Sequence, residues 1–88
     1  MNSYRDLMVW QRSMEMVVEV YKLVDFFPKD EQYGLSQQLK RSVVSVPSNI
    51  AEGFGRNYTA EYSRFLQFSR GSLYEVQTQI EIAVLLKY

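Results

Sequence analysis

Between Tyr4 and Phe27 the chain carries no glycine or proline, and apolar residues recur at Leu7, Trp10, Met14, Val17, Tyr21 and Val24. That alternation of three and four marks an α-helix with one face turned to a core, and it places a first helix over about 4–27. A second apolar set, Val9, Met16, Val20, Leu23 and Phe27, follows the same period. It is rotated by roughly a third of a turn at ~100° per residue. Gln11, Arg12, Glu15, Glu19 and Lys22 keep only a narrow polar strip. An apolar arc of about half the circumference is wider than the ~100° stripe that one bundle core needs. Val9, Met16, Val20, Leu23 and Phe27 are therefore the candidate interface with identical copies of the chain.

The next two segments share the helical period. Phe27-Pro28-Lys29-Asp30 reads as a turn, because proline disfavours helix at the residue before it, and Asp30 with Glu31 suits a new helix N-terminus. A second helix is expected over about 30–54, with Leu35, Leu39, Val43, Val46 and Ile50 as its stripe. The stripe runs through Pro47, whose missing amide and clash with the Val43 carbonyl predict a kink. Ser42, Ser45 and Ser48 surround it, either bonding loosened carbonyls or letting a neighbouring helix come close. Gly53 and Gly55 suit its C-terminal, left-handed position. A third helix over about 59–88, capped by Asn57 or Thr59, has Tyr62, Leu66, Ser69, Leu73, Val76, Ile80 and Ala83 on one stripe. Gly71 inside it signals close packing or a bend. No residue after Leu86 suits a helix stop, so that end reads as cut off or completed by a partner.

The fold class is thus all-α, an antiparallel up-down helical bundle forming a single domain over 1–88. The sequence contains no histidine and no cysteine, which removes imidazole acid–base catalysis, thiolate chemistry, disulfides and nearly every transition-metal site. No cofactor, metal or catalytic residue is expected. Apolar runs are only a few residues long, as at Ile82 to Leu86, and Met1 and Asn2 open no charged-then-apolar leader. A cytoplasmic protein with no membrane partner is the expectation. Ten Lys+Arg balance ten Asp+Glu, so a polyanion would have to be held by a local patch.

Three stretches carry a family resemblance: Leu7-Met8-Val9-Trp10-Gln11; Tyr33-Gly34-Leu35 with Gln38-Leu39-Lys40-Arg41-Ser42; and Ser45-Val46-Pro47-Ser48-Asn49-Ile50-Ala51-Glu52-Gly53-Phe54-Gly55-Arg56. With them the chain resembles the bacterial four-helix-bundle proteins encoded in intervening sequences of 23S ribosomal RNA genes. Pro-Ser-Asn-Ile-Ala-Glu-Gly is the specific part. The resemblance implies a homopentamer, and kinship with the accessory variability determinant proteins of diversity-generating retroelements, which bind nucleic acid and a reverse transcriptase. Family members have four helices, and three are represented in this chain.

Lys40, Arg41, Arg56, Arg64 and Arg70 oppose only Glu52 and Glu61 between positions 40 and 70, a local excess of three positive charges. They are the candidate nucleic-acid contacts; ordinary solvated charge is the alternative. Tyr58 and Tyr62 lie beside Arg56 and Arg64 and offer rings on which an unpaired base stacks, although most tyrosines of a small bundle pack with the hydroxyl toward water. Ser45, Pro47, Asn49, Glu52 and Gly53 form the structural motif around the bend, where Asn49 and Glu52 are placed to bond an adjacent helix or subunit. A binding scaffold for RNA or DNA, with a protein partner, is one functional class that fits; a structural oligomer that touches no nucleic acid is the other.

Overall fold

The computed structural model describes residues 3–88, and these are all-helical. The expectations at Met1 and Asn2 lie outside the described residues. Helix α1 spans Met8–Val24, α2 Leu35–Gly55 and α3 Thr59–Leu85, with short 3-10 turns at Tyr4–Asp6 and Lys29–Glu31. An up-down bundle fits this order. The start of α1 lies beside the end of α2, where Tyr4 and Trp10 share a hollow with Pro47 and Ala51. The end of α3 returns to the start of α2, where Tyr88 reaches Glu31.

The first two helices are shorter than their periodicity predicts, each for a local reason. The Ser3 hydroxyl accepts the Arg5 amide at 3.1 Å and closes a separate turn, after which Leu7 is extended (φ −76, ψ 124), so α1 starts only at Met8. Beyond Val24 the amides of Phe26 and Phe27 bond carbonyls three residues back, and the helix gives way to tight turns before Pro28. Helix α2 starts at Leu35 because Glu31 reaches forward from its own turn and accepts the Leu35 amide at 3.0 Å. A carboxylate on an otherwise unbonded first-turn amide satisfies the donor and complements the helix dipole.

Helix α2 is the central element. Leu39, Val43 and Ile50 are fully buried, and Val20, Val24 and Phe27 from the α1 side and Val76 and Ala83 from α3 join Leu39 and Val43 in one cluster. The Cα atoms of α1 and α3 never come within 8 Å of each other, so α2 is the helix whose backbone lies close to both, and α1 and α3 share the core through side chains. The core line of α1 falls between its two apolar stripes. Val20 and Phe27, expected at a subunit interface, are 5% and 9% exposed in the chain's own core, and Met16 packs against that core. Val9 and Leu23 from the same set remain 51% and 39% exposed, as are Met14 and Tyr21 from the set expected to face inward. Both stripes therefore split, each giving some residues to the core and leaving others exposed.

Helix α2 runs through a buried Pro47. The carbonyls around it are well supplied with side-chain donors. Ser45 Oγ donates to Ser42 O, Ser48 Oγ to Val44 O and Asn49 Nδ2 to Ser45 O, each at 2.8 Å, and Ser69 Oγ of α3 donates to Val46 O at 2.9 Å. The bond between α2 and α3 is thus made by Ser69, while Asn49 serves its own helix. The two helices approach closely at Gly53, where a Cβ would lie 2.6 Å from Phe65 Cβ. Gly53 and Gly55 are helical, not left-handed caps. The left-handed residue ending α2 is Asn57 (φ 62), which leaves the extended Tyr58 to begin α3 without a side-chain cap. Gly71 faces open space, with no close packing.

The far end of α3 does carry a stop. Lys87 is left-handed (φ 64), its amide bonds Val84 O at 3.0 Å, and the Tyr88 amide bonds Ala83 O at 3.0 Å. That pair is a Schellman motif with lysine at the position usually given to glycine. It turns the Tyr88 ring onto Phe27, with ring centroids 5.5 Å apart, and sends its hydroxyl to Glu31 Oε2 at 2.6 Å.

Candidate nucleic-acid interface

The structure divides the five candidate cations among three places. Lys40 and Arg41 stand next to each other on α2 where it borders α1, and neither makes an ion pair among the described residues. The Lys40 ammonium lies 5.0 Å from the centre of the Tyr21 ring on α1, within cation–π range. Together with Tyr33, Val44 and several glutamine and serine side chains these residues line a groove of about 630 Å³ that has no carboxylate in its wall.

Arg56 and Arg64 gather at the opposite end of α2. Both guanidinium groups lie over the Phe65 ring, at 5.0 and 5.6 Å from its centre, and Arg64 also lies 5.4 Å from that of Phe68. Each is held by a carboxylate of its own helix region, Arg56 by Glu52 at 3.2 Å and Arg64 by Glu61 at 3.7 Å. Their net charge toward a polyanion is correspondingly reduced. Arg41 and Arg56 are separated by about 22 Å along α2 at 1.5 Å per residue, so they do not form one patch. Arg70 is exposed and makes no ion pair among the described residues. It lies about 9 Å further along α3 than Arg64 and on a different side of the helix.

Tyr62 is committed to packing, edge-on to Phe54 at 6.2 Å and against the backbone at Gly53. Tyr58 is exposed at the turn between α2 and α3. The rings that share a groove with unpaired cations are Tyr21 and Tyr33 instead, and sequence reasoning missed both as site residues. Periodicity assigned Tyr21 to the core stripe. The available signal for Tyr33 was its position among Gln32, Gly34 and the turn residues, where no apolar stripe claims it.

At the same end of the molecule Glu31 links two chain segments. The Tyr88 hydroxyl and then the Leu35 amide hold its carboxyl below the usual carboxylate range. The same bond to Glu31, followed by desolvation and the charges of Glu31 and Asp30, pushes the Tyr88 phenol above its ordinary value. This clasp fixes the turn that precedes α2 and so the segment that carries Tyr33.

Among the described residues no helix is long and apolar enough to cross a membrane. No curated relative matches the chain. The model of the 23S rRNA-intervening sequence protein family matches residues 5–88, which takes in α1, α2 and α3 with both connecting segments and the groove between α1 and α2. On that match over nearly its whole length, the chain belongs to the 23S rRNA-intervening sequence protein family.

Proposed function

We propose that the protein is a non-catalytic, cytoplasmic scaffold that binds RNA or DNA as a homo-oligomer, pentameric by the resemblance. The observation that carries this is the pair Lys40 and Arg41, adjacent, unpaired and set in a groove wall without a carboxylate. One such patch on a chain of zero net charge binds weakly. Repeated around a ring it gains by multivalency, and every phosphate neutralised releases counterions. Assembly is supported by the apolar residues that α1 leaves exposed, Val9, Met14, Val18, Tyr21 and Leu23. In such an assembly another helix completes the four-helix count against some of those residues. The bend of α2 at Pro47, and a protein partner of the kind used by the retroelement accessory proteins, belong to the same proposal.

Light scattering is expected to return a multiple of the single-chain mass. Binding of labelled RNA and DNA should weaken with salt at a slope of about −0.7 to −0.9 per neutralised phosphate. Arg41→Ala should make that slope shallower, and Arg56→Ala should do so less, because Glu52 already neutralises Arg56. A monomer at micromolar concentration, or no binding at low salt, overturns the proposal in its first or second half. The pairing of Arg56 and Arg64 with Glu52 and Glu61 favours the second reading, a structural oligomer without nucleic acid. Assembly with no binding is its signature.

A further inference from the structure

Of the larger grooves, the one between α1 and α2 combines aromatic rings with cations free of carboxylates. Tyr33 is 82% exposed on the segment before α2, so a face of its ring is open to a ligand. The volume of about 630 Å³ lies within the range of small-ligand sites. Lys40 is held against the Tyr21 ring at 5.0 Å, while the Arg41 guanidinium keeps its full fork of donors for a phosphate. We infer that this groove seats one unpaired nucleotide of a single-stranded nucleic acid, its phosphate on Lys40 and Arg41 and its base against Tyr33.

This rests on the nucleic-acid-binding proposal above and adds to it the strand form and the place. A base inside a duplex has both faces covered by its neighbours, so an exposed tyrosine contributes stacking only to a strand whose bases are splayed. A duplex would meet Lys40 and Arg41 through phosphates alone. Val44 and Ser48 also line a second hollow, of about 400 Å³, walled by Tyr4, Trp10 and Met14.

Fluorescence anisotropy at low salt tests this with two probes, a labelled oligouridylate of about twelve nucleotides and a blunt-ended duplex of equal phosphate count. Tyr33→Ala is expected to weaken oligouridylate binding about tenfold, the loss of one stacked base, and to leave the blunt-ended duplex unaffected. Tyr33→Phe should retain binding, and Lys40→Gln with Arg41→Gln should weaken both probes. Circular dichroism of Tyr33→Ala confirms that the fold is kept. Intact oligouridylate binding in Tyr33→Ala, or equal loss for both probes, overturns the single-strand inference while the broader proposal stands. Binding of neither probe by the wild type removes the broader proposal itself. Competition by a poly-glutamate peptide as strong as that by unlabelled oligouridylate overturns the stacking role and gives the groove to an acidic protein segment.

Discussion

Gly53 and Gly71 have surroundings opposite to those the sequence suggests: Gly53, which reads as a helix stop, is the crowded one, and Gly71, which reads as a sign of close packing or a bend, is open. A methyl group at Gly53 meets Phe65 Cβ at 2.6 Å, between two backbones that cannot both yield, whereas one at Gly71 meets nothing within 4 Å. Gly53→Ala is expected to destabilise the protein by about 1–3 kcal/mol through overpacking. Gly71→Ala is expected to stabilise it by up to about 1 kcal/mol, the helix-propensity difference. Urea unfolding of the two variants checks both signs. Periodicity could not separate these positions, because a glycine has no side chain to report which side of a helix is crowded. The same blindness assigned the left-handed stop to Gly53 or Gly55 when Asn57 fills it, and missed Lys87 in that role altogether. Left-handed backbone at Lys87 is held in place by its neighbour Tyr88, which lands on Phe27 and Glu31.

Among the elements, the start of α2 and the end of α3 depend on one carboxylate. Glu31 accepts the Leu35 amide with one oxygen and the Tyr88 hydroxyl with the other. Its lowered value means that its contribution is full above the unfolded carboxylate range and is lost as pH falls through the lowered value. Tyr88, being raised, contributes fully below the unfolded phenol range and loses that contribution as pH rises through the raised value. The melting-temperature advantage of the wild type over Tyr88→Phe should therefore be flat around neutrality and shrink toward both acid and alkali. An advantage that does not vary with pH would show that the clasp is not what Tyr88 contributes. The helices themselves were legible in the sequence, since each has an unbroken apolar stripe. Their ends were less so, because Ser3 and Glu31 act by reaching across turns that no periodic pattern records.

For the whole molecule, the wide apolar arc of α1 was visible in the sequence, but its division between core and surface was not. Two stripes on one helix do not reveal where the core line falls until α2 is packed against them, and it fell between them. In the proposed assembly, the flanks left outside are where the subunit contacts belong. Leu23→Lys, on an exposed flank, should lower the mass found by light scattering with little change in helicity; an unchanged mass places the subunit contacts elsewhere. The candidate cations were legible as a count and not as a map. Two cations on one helix can be about 22 Å apart, and a tally that subtracts Glu52 and Glu61 does not say which cations they pair with.

Among the described residues, helix α2 is also the one helix whose backbone runs close to both of the others. Peeling α1 away therefore leaves the α2–α3 hairpin, with its short Arg56–Tyr58 link, still zipped at the Phe65–Gly53 and Ser69–Val46 seams. Amide deuterium exchange should accordingly run in two tiers, α1 opening at lower free energy and the middle of α2 surrendering its protons only when the entire chain melts.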